Sequence, residues 1–91
     1  MNQYKPILKM NRTEIIYQLK NVIISVLNHD NFEMNEELTA NDISGWDSLS
    51  HMLIITKIED DFLIKFKLKE LNKLNNLGNL IDLIEKKLIE N

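Results

Sequence analysis

Ser48 is the residue best placed, by type and spacing, to do chemistry in this chain. It follows a polar loop, stands directly behind Asp47 and opens an apolar run, so it falls where a helix should begin. A serine hydroxyl at such a point has three uses. It can cap the helix, attack a substrate when a base activates it, or receive a group from another enzyme. Attack needs a general base within hydrogen-bond reach and a third group to orient that base. His51 lies one turn further on, but no group is placed to orient it, and a domain of 91 residues offers little enclosed cleft. An exposed serine without a base suits a residue that another enzyme modifies. Ser50, two positions on, reads as an ordinary helix residue.

The elements that must hold Ser48 read as helices. Asn11-Arg12-Thr13-Glu14 has the form of a capping box. Ile15, Ile16, Leu19, Val22, Ile23, Val26 and Leu27 then recur at helical spacing, which predicts a first helix to about Asn28. His29, Asp30 and Asn31 end it. Residues 30–46 form a long polar connection in which Phe32, Met34, Leu38 and Ile43 are apolar anchors. A connection of this length is functional or carries a helical turn of its own. A second helix begins at Asp47 or Ser48 and ends near Asp61. Its core face is Ile54, Ile55, Ile58 and Phe62, while Leu49, Met52, Leu53 and Thr56 lie on another side. A helix in so small a domain does not bury both faces, so the second cluster is a candidate docking patch. Phe62, Ile64 and Phe66 alternate with Leu63 and Lys65, as in an extended connection. Leu68, Leu71 and Leu74 fit a short third helix. Asn76 caps a last helix whose Leu77, Leu80, Ile81, Ile84 and Leu88 face inward. Lys86 and Lys87 in its final turns suit the helix dipole. The expected fold class is all-α: a small four-helix bundle of three main helices and one short third helix, with a long first loop. Residues 1–10 read as a leader and 11–91 as the helical domain.

Composition narrows the function classes. The chain is 44% hydrophobic and 27% charged, with two glycines and one proline, which favours helices over a many-stranded sheet. A net charge of -3, with no dense basic face, argues against nucleic acid. No apolar stretch approaches the ~20 residues of a membrane span, and the first residues lack a signal-peptide core. A cytoplasmic monomer is expected. With no cysteine there is no disulfide framework and no thiolate metal site, and any thiol chemistry requires an attached group. His29 has no accompanying ligands, so no zinc site is expected. The abundance of Asn, Ile and Lys reads as coding bias, which discounts the lysine run at 65, 67, 69 and 73.

Asp47-Ser48-Leu49 at the start of a second helix resembles the phosphopantetheine attachment motif of the acyl carrier proteins. Glu37-Leu38-Thr39 is similar to that family's lead-in, Glu59-Asp60-Asp61-Phe62 to its acidic end of helix two, and Leu77-Gly78-Asn79-Leu80 to the start of its last helix. The resemblance runs from about Thr13 to about Leu88. It implies a covalent 4'-phosphopantetheine arm on Ser48, transferred from coenzyme A by a phosphopantetheinyl transferase. It implies a non-catalytic carrier that holds acyl intermediates as thioesters and delivers them to loading and acyl-transfer enzymes. An aminoacyl or peptidyl carrier would use the same serine, and an unmodified helical interaction domain is the alternative from a different class.

The same resemblance gives roles to the neighbours of Ser48. Asp47 caps the helix and, in the family, helps the transferase recognise its substrate. Trp46 is a loop anchor or a contact for the arm, and loop aromatics more often anchor. His51 could meet the phosphate or line the mouth of an acyl pocket, although a lone helix histidine more often does neither. The acyl pocket itself is expected among Ile54, Ile58, Phe62 and the apolar faces of the other helices. Leu53 stands where the family commonly carries an acid. With Asp47, Leu49, Met52, Thr56 and Glu59 it makes up the expected partner-recognition set, and its apolar character implies a specialised pathway.

Overall fold

The computed structural model describes residues 10–90. Four α-helices follow one another: α1 (Arg12–Leu27), α2 (Ser48–Phe62), α3 (Leu68–Leu71) and α4 (Leu77–Glu90), with a short 3-10 turn at Ala40–Asp42 inside the long first connection. The described residues contain no strand. The reading of residues 1–10 as a leader lies outside the described residues except for Met10, which packs against the core.

Local chemistry sets the helix ends. The Asn11 side chain accepts from the Glu14 N–H at 2.8 Å, and the Glu14 carboxylate accepts from the Asn11 N–H at 2.9 Å. This reciprocal pair satisfies donors that the first turn of α1 would otherwise leave open. α1 closes at Leu27, and Asn28 takes the left-handed conformation (φ 66°) that asparagine tolerates. The last helix starts as its sequence predicts: Asn76 Oδ1 accepts from the Asn79 N–H at 2.9 Å.

Leu63 departs from the extended connection expected of it. α2 runs through Phe62, and Leu63 adopts φ 58°, ψ 48°. Left-handed geometry costs a branched residue about 1–2 kcal/mol. The gain is a sharp turn in which the Glu59 carbonyl accepts from both Leu63 and Ile64 N–H groups. Ile64 is thereby carried into the core.

The core forms where α1, α2 and α4 meet. Ile15, Leu19, Val22 and Ile23 of α1 face Ile54, Ile55, Ile58 and Phe62 of α2 and Leu77, Leu80, Ile81, Ile84 and Leu88 of α4. Phe62 is among the largest fully buried side chains. Leu68, expected to help seat α3, is exposed, whereas Leu71 and Leu74 pack on the core. What fastens α3 is an ion pair. Lys87, expected to suit the helix dipole, is buried, and its Nζ lies 2.9 Å from Glu70 Oε2.

Two further links pin the first connection, which carries the chain into α2. The leading N–H groups of α4 reach across it: Leu77 donates to the Leu38 carbonyl at 2.9 Å and Gly78 to that of Glu36 at 2.8 Å. A Cβ at residue 78 would lie 3.0 Å from both the Glu36 carbonyl oxygen and Cβ, so glycine permits this approach. Arg12 then joins Glu36 of the connection (3.0 Å) to Asp82 (2.9 Å) and Glu85 (2.7 Å) of α4.

Candidate functional site

Ser48 is the first residue of α2 and is exposed. Its hydroxyl makes no hydrogen bond to any described residue. The residues around it are fully engaged. Asp47 Oδ1 accepts from the Ser50 N–H at 2.9 Å, and Ser50 Oγ accepts from the Asp47 N–H at 2.8 Å. Ser50 Oγ also donates to the Gly45 carbonyl at 2.8 Å. Ser50 is thus half of a capping box and a brace for the loop, not the ordinary helix residue expected. The Asp-x-x-Ser spacing carries that signal, because a hydroxyl can occupy the third position as a carboxylate does.

Electrostatics follow from this geometry. The Ser50 N–H, then the Ser50 hydroxyl, hold the Asp47 carboxyl below its usual range. Asp47 is therefore ionised and committed to the cap, and does not act as a base on Ser48. His51 is committed as well. Its Nδ1 accepts from Trp46 Nε1–H at 3.1 Å, and the two rings lie 6.1 Å apart at a 36° tilt. No Ser–His pair forms, so the nucleophile arrangement is absent among the described residues.

The loop is held in place at several points. Gly45 takes φ 88°, a left-handed turn that turns Trp46 onto the core before Asp47 starts the helix. Ile43 is buried just before it. His29, expected to end α1, also bridges to the loop. Its Nδ1 accepts from the Asn31 N–H at 3.0 Å, and its Nε2 meets the Ser44 carbonyl at 2.6 Å. The two contacts together require the neutral Nε2–H tautomer. No spacing in the sequence marks a contact between positions 29 and 44.

The predicted recognition residues separate into two groups. Leu49, Met52 and Leu53 are 72%, 55% and 51% exposed, and Thr56 is exposed beside them. They form one apolar strip descending from Ser48 along α2. Glu59 does not join them. It is half-buried, and its Oε2 accepts from the Phe66 N–H at 2.9 Å, which ties the end of α2 to the segment before α3. Ile54, Ile58 and Phe62 are buried, and an apolar cleft of about 70 Å³ opens between Trp46, His51, Leu38 and the start of α4, whose Leu77 and Leu80 line it.

Comparisons with known proteins agree with this architecture. The family described as the phosphopantetheine attachment site matches residues 18–84. Among solved structures, the solution NMR structure of holo acyl carrier protein from Geobacter metallireducens superposes with a TM-score of 0.78 at 43% identity, covering 84% of this chain and 87% of that one. No curated protein matches the chain. The chain is a phosphopantetheine-bearing carrier and belongs to the acyl carrier protein family. The cofactor of that class is 4'-phosphopantetheine, held covalently.

The residues present fit that group. A phosphodiester on the free primary hydroxyl at the first position of this fifteen-residue helix would lie at the positive end of the helix dipole. The chain has no cysteine to compete for the cargo.

Proposed function

We propose that Ser48 is the attachment point of the phosphopantetheine arm and that the chain carries acyl groups between enzymes in the cytoplasm. The observation that carries this reading is the state of the Ser48 hydroxyl: exposed, without a partner, and ahead of a helix whose cap uses Asp47 and Ser50. Every neighbouring polar group is occupied in presenting the serine, and none activates it. The arm supplies the thiol that the chain lacks, on which acyl groups travel as thioesters. The chain binds, presents and shields, and performs no chemical step itself.

The partners are a phosphopantetheinyl transferase, which reads Asp47 and the turn around it, and enzymes that load and withdraw the acyl group. These dock on Leu49, Met52, Leu53 and Thr56, the exposed strip adjoining Ser48. Acyl rather than aminoacyl cargo is favoured by the 43% identity with a holo acyl carrier protein.

Intact-mass analysis tests the attachment. Wild-type protein treated with coenzyme A and a phosphopantetheinyl transferase gains one phosphopantetheine, and Ser48→Ala gains none. No gain with several different transferases would sink the proposal.

A further inference from the structure

Capping α2 requires less of Ser50 than the structure gives it. The Ser50 N–H, donated to Asp47 Oδ1 at 2.9 Å, already closes the helix end. Yet the Ser50 hydroxyl also reaches back five residues, out of the helix, and donates to the Gly45 carbonyl at 2.8 Å. Asp47 Oδ1 and the Asp47 carbonyl are longer alternatives, at 3.2 and 3.3 Å, so the one hydroxyl proton lies toward Gly45. The same oxygen accepts from the Asp47 N–H at 2.8 Å. One hydroxyl thus grips both ends of the turn. It does so by donating and accepting from a single atom, whereas a methyl group does neither.

The turn that it spans, Gly45-Trp46-Asp47, needs fastening. Gly45 stands at φ 88°, and glycine has more backbone freedom to lose than any other residue. On the loop side the turn is held by the Trp46 N–H on the Ile43 carbonyl, which is long at 3.3 Å. A rotation at Gly45 would swing Asp47 off the cap and move Ser48, the next residue, with it. Each residue of the turn is tied instead to α2. Gly45 and Asp47 bond to Ser50, and the Trp46 indole N–H donates to His51 Nδ1 at 3.1 Å. The turn and the start of the helix therefore move as one body, with Ser48 between them.

We propose that Ser50 is a positioning residue for arm transfer: its hydroxyl locks the Gly45–Asp47 turn onto α2, so that Ser48 meets the transferase already in its reactive placement. This inference rests on attachment at Ser48. In the transfer, Ser48 Oγ bonds to the pantetheine phosphorus of coenzyme A, the diphosphate P–O bond breaks, and adenosine bisphosphate leaves. The hydroxyl proton passes to a base of the transferase, since Asp47 and His51 are both engaged elsewhere. Ser50 touches none of the reacting atoms. It removes the cost of ordering the turn on binding. Its loss lowers the fraction of carrier that is competent and raises KM in proportion, with kcat unchanged.

Steady-state transfer from coenzyme A to the full chain, with one phosphopantetheinyl transferase, tests this. All variants are assayed below their melting transitions, which circular dichroism establishes. Ser50→Ala should lower kcat/KM about fivefold to tenfold, all of it in KM, as for one lost hydrogen bond that holds the competent turn. Ser50→Thr keeps the hydroxyl and should restore the wild-type KM. Asn11→Ala is the stability control. It breaks the matching box of α1, at the far end of that helix from Leu27 and its neighbour Gly45, and should leave KM unchanged. An unchanged KM in Ser50→Ala overturns the proposal. So does a KM that Asn11→Ala raises as much, or one that Ser50→Thr fails to restore. Wild-type protein that takes up no arm overturns attachment at Ser48 and this proposal with it. A modified wild type whose rate Ser50→Ala matches overturns this proposal alone.

Discussion

The two faces of α2 are equally apolar and have opposite fates. Ile54, Ile55, Ile58 and Phe62 are at most 3% exposed, whereas Leu49, Met52 and Leu53 are more than half exposed. Hydrophobicity alone does not separate them. What separates them is the angle each presents to α1 and α4, which cover one side of the helix and leave the other open. Burial makes the first face a source of stability. Exposure makes the second an uncompensated cost in water that a binding partner can relieve.

That contrast is tested most severely on the buried side. Phe62→Ala should cost about 3–5 kcal/mol, a large part of what a domain of this size has, and should be seen as a collapsed or absent thermal transition. A loss below about 1 kcal/mol would mean that the two faces are not energetically distinct. Removing a helix end gives a smaller effect. Asn11→Ala breaks the capping box of α1 and should lower stability by about 1 kcal/mol in denaturant melts, with the slope unchanged.

Acid should weaken the end of α2 where the two faces meet. The Asp47 carboxyl is held below its usual range by the Ser50 N–H, and those of Glu36 and Glu70 are lowered too, chiefly by Arg12 and by the Lys67 N–H. Depressed carboxyls stabilise the fold above their unfolded values, and that share is lost as the pH falls through the folded ones. Tm should therefore be level from neutral pH down to about 5 and should fall below about 4. Asp47→Asn keeps a capping side chain and should reduce the acid loss. An identical acid profile in that variant would contradict the role given to Asp47. The smallest effect on stability belongs to the open face. Leu53→Glu should leave stability within about 0.5 kcal/mol while weakening binding to the cognate acyl-transfer enzyme in calorimetry. Unchanged affinity would remove Leu53 from the docking surface.

Much of this was legible in the residues because it depends on local chemistry. Asn11 with Glu14 and Asn76 with Asn79 are short-range bonds, so spacing alone locates both helix starts. The two faces of α2 follow from helical periodicity, which also placed Ser48 at the first turn. What escaped depends on distant or atypical partners. Lys87 reads only as a complement to the helix dipole, because its partner Glu70 is brought to it by α3. His29 meets Ser44 only because the loop folds back. Leu63 is not a turn residue, and nothing local announces its left-handed conformation. The place of Ser50 in the cap of α2 is local too, since the Asp-x-x-Ser spacing carries it. The cleft under Trp46 joins Leu38 of the first connection to Leu77 and Leu80 of α4, a contact between distant segments that helical periodicity does not reveal.

The exposed Ser48 is proposed to carry the arm, while Ser50, two positions on, is consumed in holding the helix end. Tandem mass spectrometry of the modified protein, cleaved to release the peptide around Trp46, tests it directly. Phosphopantetheine is expected on Ser48 alone, with Ser44 and Ser50 unmodified. Phosphopantetheine on Ser50, or on any other residue, would contradict it.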